Sequence, residues 1–228
     1  MKIIKPSYEI LTPISDGGIK ELQHIEKIGR VCYKSEDRIT DDGESAKKFV
    51  KMLISNGHEA MIEHSSLSVK FVVDRGVSHE LVRHRIASFA QESTRYCNYG
   101  LKNKFGNEIT FIIPSWLPNL DTFPQGERPQ EGTPEYNYYT LRCALSYAEE
   151  HYFALLNNGC SPQQARQVLP NALKTEIVVT GFISDWKHFF DLRYFGTTGK
   201  PHPDMLELST KAKTVLEEAG LWGMITNS

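Results

Sequence analysis

Several features are scarce or missing in this 228-residue chain, and each absence removes a class of function. No apolar run approaches the roughly 20 residues that a membrane-crossing helix needs. The opening Met-Lys-Ile-Ile-Lys-Pro-Ser has no apolar core followed by a small-residue cleavage site, so no secretory signal is expected. Cysteines number only four (Cys32, Cys97, Cys143 and Cys160), widely scattered and without a Cys-x-x-Cys pair. They read as reduced thiols of a cytoplasmic protein and not as a disulfide framework. There is no basic surplus: 26 Lys and Arg stand against 28 Asp and Glu, a net charge of −2. General nucleic-acid binders carry an excess of cations. No Gly-x-Gly-x-x-Gly run appears, so any dinucleotide is held by something other than a Rossmann turn. Gly196-Thr197-Thr198-Gly199-Lys200 has the outline of the end of a phosphate loop, but Pro201 stands where Ser or Thr should bind magnesium.

Metal and nucleophile chemistries fare little better. The chain has eight histidines. His79 and His84 are five residues apart, which at about 100° per residue points them roughly 140° away from each other on a helix. A zinc-protease pair needs a spacing of four. His58, Glu63 and His64 form another small group without a further ligand pattern, so no metal site is expected. Cys160 sits at a helix start and Cys97 follows a basic cluster, yet neither lies in a pattern of an activated thiolate. Ser93 lacks a Ser-His-Asp order that would activate it.

What is present is a chain with 40% hydrophobic residues, enough to bury the core of one compact domain spanning residues 1–228. Residues 2–11 read as a strand, and Ile19, Leu22, Ile25 and Ile28 mark a helix over 18–33. Residues 34–45 are polar and read as a loop. Ala46, Phe49, Val50, Leu53 and Ile54 mark an amphipathic helix ended by Asn56-Gly57. Leu67, Val69, Phe71 and Val73 alternate as in a strand, and a helix is expected over about residues 77–87. Pro114 to Pro134 reads as a loop and 135–156 as a long helix. Ser161-Pro162 starts a short helix with Ser as cap. Segments 171–181, 184–194 and 204–218 read as helical. The sum is an α+β protein with more helix than strand.

The densest chemistry lies in residues 83–95, Arg-His-Arg-Ile-Ala-Ser-Phe-Ala-Gln-Glu-Ser-Thr-Arg. Guanidinium forks and hydroxyls gathered where a helix runs into a loop suit a site that grips phosphates or a polar heterocycle. Arg83, His84, Arg85, Ser88, Ser93 and Arg95 match in order and spacing the signature of the flavin-dependent thymidylate synthases. This chain resembles that family over most of its length. His58-Glu59-Ala60-Met61-Ile62-Glu63-His64 is similar to the family's upstream His-Glu-x-x-x-Glu-His segment. Ala165-Arg166-Gln167-Val168-Leu169-Pro170 resembles its Ala-Arg-x-x-Leu-Pro. Phe189-Phe190-Asp191-Leu192-Arg193 resembles the segment whose Arg lies along the pyrimidine.

The resemblance implies a single domain with an antiparallel sheet flanked by several helices, and the reductive methylation of dUMP to dTMP. Methylenetetrahydrofolate would be the carbon donor, with NADPH reducing a bound FAD. It further implies that Arg193 and His58 are catalytic. Arg193 would stabilise negative charge on the polarised ring; His58 would help position flavin and folate. Flavin contacts would come from Ala60, Arg83, His84, Arg85, Gln91, Phe182, Ile183, Ser184 and His188. Ala60 stands where Thr or Ser is frequent and can offer only backbone. Nucleotide contacts would come from Glu80, Arg83, Gln91, Glu92, Ser93, Thr94, Arg95, Arg166 and Arg193, with Glu80 replacing a frequent Gln. The assembly implied is a homotetramer whose active sites are shared between subunits, with no nucleic-acid or membrane partner. Two rivals are a flavoprotein or pyrimidine methyltransferase with a different substrate, such as a modified uracil, and a nucleic-acid module using Arg83, Arg85 and Arg95 on phosphates. Strong salt-dependent affinity for polymer would mark the second.

Overall fold

Alternation of apolar and polar residues decides the sheet. In the computed structural model, which describes residues 1–117, 128–218 and 220–225, strand β3 (Ser66–Asp74) buries Leu67, Val69, Phe71 and Val73 and leaves the residues between them partly covered. Strands pair in the order β2 (Ser7–Ile10), β3, β6 (Lys174–Phe182) and β4 (Ser88–Gln91). Every neighbour runs antiparallel, as the register shows. Leu11 N donates to Ser68 O while Glu9 pairs with Lys70. Ser68 Oγ meets Thr180 Oγ1 at 2.8 Å while Ile183 N donates to Ser65 O. Glu92 N donates to Glu176 O, and Ala87 lies beside Gly181. A separate pair, β1 (Lys2–Ile4) with β5 (Thr110–Ile112), is parallel and sets Ile3 beside Phe111.

Three expectations change. Residues 171–181 are not helical: the segment holds β6, in which Thr175, Ile177, Val179 and Gly181 are buried in strict alternation. Its run of β-branched residues loses χ1 freedom in a helix and packs well on a pleated surface. Residues 2–11 are two strands, β1 and β2, in different sheets. Pro6 lies between them and has no N–H for a ladder. The helix expected over 77–87 is α3 (Arg75–Leu81) and stops before the signature. Its buried residues are Val77, Ser78 and Leu81, and the cations at 83–85 offer no further apolar face. The signature therefore runs through a turn, strand β4 and a second turn, not from a helix into a loop.

Other elements follow the periodicity. Helix α1 (Ile19–Tyr33) packs on α2 (Glu44–Ser55). Gly43, at φ 77°, starts α2, and a Cβ there would lie 2.7 Å from Ile19 Cγ2, so only glycine serves. A short helix, α4 (Lys102–Phe105), and the long α5 (Pro134–Asn157) follow. Thr133 caps α5 by accepting from Tyr136 N at 3.2 Å, and Tyr138, Leu145 and Tyr152 form its buried stripe. Helix α6 (Pro162–Ala165) is capped by Ser161 and Gln164, whose Oε1 accepts from Ser161 N at 2.9 Å. Then come α7 (Ile183–Arg193), α8 (Pro203–Glu218) and α9 (Trp222–Ile225). Of the loop expected from Pro114 to Pro134, residues 118–127 lie outside the described residues. No helix among the described residues is long and apolar enough to cross a membrane.

The chain falls into two compact units. The first comprises Met1–Ser7, Phe71–Leu81 and Ala90–Ile177; the second comprises Tyr8–Lys70, Val82–Phe89 and Val178–Ser228. The first unit's core gathers Tyr99, Ile109, Phe111, Leu145, Tyr152, Ala165 and Leu173. The second holds Trp186, Phe189, Phe190 and Trp222, edge to face in succession, and the Trp186 indole donates to Leu67 O at 3.0 Å.

The second unit also buries an ion pair. Glu26, with no solvent exposure, accepts from Arg30 Nε at 2.9 Å and Nη2 at 2.7 Å, and its other oxygen accepts from Ser45 Oγ at 2.8 Å. Arg30 also stacks over the Phe49 ring at 4.5 Å. Removing one partner leaves a buried charge uncompensated, which costs about 3 kcal/mol or more. Arg30→Met is therefore expected to lower the unfolding free energy by that order in guanidinium titrations. The double variant Arg30→Met/Glu26→Gln should lose clearly less than the sum of the two single changes; additivity would reject the coupling.

Candidate active site

In the second unit the site is built on α7. Its first turn is held by Ile183 N donating to Ser65 O at 3.0 Å and by Asp185 Oδ2 accepting from Phe182 N at 2.8 Å. Trp186, Phe189 and Phe190 are buried, so the helix has one fixed rotation. That rotation places Arg193, the last helical residue, against the 82–87 turn. Arg193 Nε donates to His84 Nε2 at 3.2 Å, and Arg193 O accepts from Ser209 Oγ at 2.9 Å. A guanidinium can only donate, so His84 Nε2 is bare and the ring, when neutral, carries its proton on Nδ1. Burial lowers the His84 pKa from 6.5 to about 4, helped by the nearby Arg193 and His188 charges. The ring lies 5.3 Å from Phe189 and 6.0 Å from His188. Arg83 and Arg85 are exposed, and neither pairs with a carboxylate among the described residues.

His58 opens the 3-10 turn Glu59–His64 and is exposed, as is Ala60 within that turn. His58 Nδ1 lies 3.4 Å from the Tyr33 hydroxyl. Glu59 stands 3.8 Å from Lys187, which also pairs with Asp191 at 3.1 Å. Of the other flavin candidates, Phe182 is exposed, Ile183 is buried and Ser184 is half-buried.

In the first unit, residues 91–95 leave β4 and close into one turn. Gln91 Nε2 donates to Ser78 Oγ at 2.9 Å and Thr175 Oγ1 at 3.3 Å. Ser93 O accepts from Tyr96 N and Cys97 N, and Ser93 Oγ accepts from Arg95 N at 3.3 Å. Thr94 is buried, and its hydroxyl accepts from Arg166 Nη1 at 3.1 Å. Arg95 Nε donates to Gln163 Oε1 at 3.0 Å, with the guanidinium over the Tyr96 ring. Neither guanidinium meets a carboxylate among the described residues. Glu80, on α3, is half-buried.

Glu92 differs from its neighbours because its polar groups are already committed. Its carboxylate takes Lys174 Nζ at 2.9 Å and the Tyr99 hydroxyl at 3.0 Å. Its N–H donates to Glu176 O, and its C=O accepts from Arg75 Nη2 at 3.1 Å. Burial opposes the Lys174 charge, but bonds to Glu176 and Glu92 outweigh it and hold its pKa above the usual value. Burial, then the Glu92 charge, pushes the Tyr99 pKa up strongly. Gln163, Lys174, Tyr99 and Arg75 went unseen in the sequence. Only Gln163 had a local signal, three residues before Arg166; the others reach Glu92 through tertiary pairing.

The His84 pKa can be read by imidazole NMR. The Nδ1-H tautomer should persist down to a midpoint near 4, whereas an exposed histidine titrates near 6.5. Because the folded pKa is depressed, the stability linked to His84 is present above pH 6.5 and is lost as pH falls toward about 4. A midpoint near 6.5 would reject the buried, arginine-bonded ring.

The fold has solved counterparts. A UMP/dUMP methylase PolB from Streptomyces cacaoi, bound with 5-Br dUMP, superposes with a TM-score of 0.75 over 98% of this chain and 96% of that one, at 20% identity. The architecture is thus of the α+β class of that methylase. Sequence takes the identification further. The family model described as thymidylate synthase complementing protein matches residues 19–218. A flavin-dependent thymidylate synthase of Corynebacterium aurimucosum is 30% identical over 207 residues, covering 90% of this chain and 79% of that one. Its counterpart in Geobacter sulfurreducens is 32% identical over 169 residues, covering 72% and 65% respectively. The chain belongs to the flavin-dependent thymidylate synthase family.

Proposed function

We propose that the protein converts dUMP to dTMP, taking the methylene carbon of methylenetetrahydrofolate and reducing equivalents from NADPH by way of FAD. The observation that carries this reading is Arg193 held by a neutral imidazole. C5 of uracil must be nucleophilic to take up the methylene carbon, and polarising the ring to make it so places negative charge on the ring carbonyl oxygens. A guanidinium whose orientation is set beforehand by His84 Nε2 stabilises that charge without reorganising.

The donor set fits FAD. Arg83 and Arg85 are exposed forks suited to a diphosphate, and His84, His188 and the Phe182–Ser184 segment supply ring edges and backbone for a flavin. FAD, when bound, carries hydride from NADPH to the transferred carbon. His58 and Ala60 belong to the flavin and folate side of the site. Gln91, Ser93, Thr94, Arg95 and Arg166 cradle dUMP, with Glu80 alongside. Glu92, whose polar groups are spent on Lys174, Tyr99, Arg75 and Glu176, acts as the anchor of that turn. A homotetramer with shared sites completes the reading; nucleic acid and membrane play no part in it.

Two measurements test it. Purified protein incubated with FAD and freed of excess should keep a flavin absorption spectrum that changes on adding dUMP; a protein that never holds flavin would sink the reading. Arg193→Ala should lower the rate of dTMP formation by about 10²-fold or more while flavin stays bound. If most activity survived, the role of Arg193 would be wrong.

A further inference from the structure

The cations at the 91–95 turn, Arg95 within it and Arg166 bonded to it, are tethered by neutral groups. Two other basic side chains of the first unit are paired with acids: Lys174 sits between Glu92 and Glu176, and Arg128 pairs with Glu131. Arg95 and Arg166 instead bond to neutral oxygens, the Gln163 amide at 3.0 Å and the Thr94 hydroxyl at 3.1 Å. The one acid within the turn, Glu92, is drawn off by Lys174 and Tyr99. Gln163 itself is held on α6, whose first turn is closed by the reciprocal Ser161 and Gln164 cap.

We infer that Gln163 is a positioning residue that sets how strongly Arg95 binds a dianionic phosphate, an inference that rests on the nucleotide reading of this turn. A side-chain amide accepts one bond from Nε and so fixes the plane of the guanidinium, as a carboxylate could. Unlike a carboxylate, it adds no charge. The outer face of the fork then keeps its full attraction for an incoming anion, and a ligand pays no penalty for displacing an internal ion pair. A phosphate monoester carries close to two negative charges at neutral pH, so it gains most from such an arrangement. The same nucleoside without phosphate gains nothing from it.

The test compares dUMP with deoxyuridine as ligands of the FAD-loaded enzyme, for the wild type, Gln163→Glu and Gln163→Leu. Wild type should prefer dUMP strongly, and that preference should weaken with added salt. Gln163→Glu keeps the bond to Nε and should weaken dUMP binding by about five-fold or more, the lower bound being the effect of one opposing charge about 4 Å away with the screening of bulk water, while deoxyuridine affinity stays within about two-fold. It should also flatten the salt dependence. Gln163→Leu, which frees the guanidinium without adding charge, should weaken dUMP but keep the salt dependence. Unchanged dUMP binding in Gln163→Glu, or equal loss for both ligands, would overturn the inference. A wild-type enzyme that binds dUMP and deoxyuridine alike would instead overturn the nucleotide reading of the turn, and this inference with it.

Discussion

The antiparallel pairing of β6 is the constraint on which the 91–95 turn of the first unit and helix α7 of the second each depend. At its beginning, Lys174 holds the Glu92 carboxylate, Thr175 accepts from Gln91, and Glu176 O accepts from Glu92 N. Those three bonds set where the 91–95 turn begins. At its end, Ile183 N bonds Ser65 O and the chain passes directly into α7. Helix α7 has no choice of rotation, because Trp186, Phe189 and Phe190 must all be covered, and rotation decides where Arg193 points. A one-residue slip in β6 would send Thr175, Ile177 and Val179 to the wrong face.

Charge is managed in two distinct ways in this protein. In the second unit, Glu26 and Arg30 form a buried pair whose lone pairs and N–H groups are met by Ser45, Ser35 and the face of Phe49. Such a pair contributes little net stability and is costly to break, so it specifies how α1 meets α2. Around the site, the chain does the reverse. At the 91–95 turn, Arg95 and Arg166 are oriented by an amide and a hydroxyl. A neutral acceptor fixes geometry and leaves the cation's field intact. His84 can accept from Arg193 only because burial beside it keeps the ring unprotonated; a second positive charge there would lose the bond and repel its partner.

Much of the site could be read directly from residue order. The six signature positions, the segment around His58, Ala165-Arg166 and the Arg after Phe189-Phe190-Asp191-Leu192 are contiguous motifs, legible without any fold. Elements with one clear period were legible as well: β3 from its alternating apolar residues, α1 and α2 from their helical stripes. Residues 174–182 were harder, because Ile177, Val178 and Val179 are all apolar, so residue type does not alternate there although burial does. The end of α3 at Leu81 depended on which residues found a core, which local propensity does not specify.

By itself, then, the sequence determined the family, the inventory of cations and hydroxyls that the chemistry needs, and the periodic elements. It did so because those properties reside in residue type and spacing. Only the tertiary structure decided how each charge is used. That Glu92 is spent on Lys174, 82 residues away, and that Arg193 is held by His84, 109 residues away, follow from strand register and helix rotation. Both are set by covering apolar surface, and that surface belongs to residues distant in the chain from the ones that carry the charges.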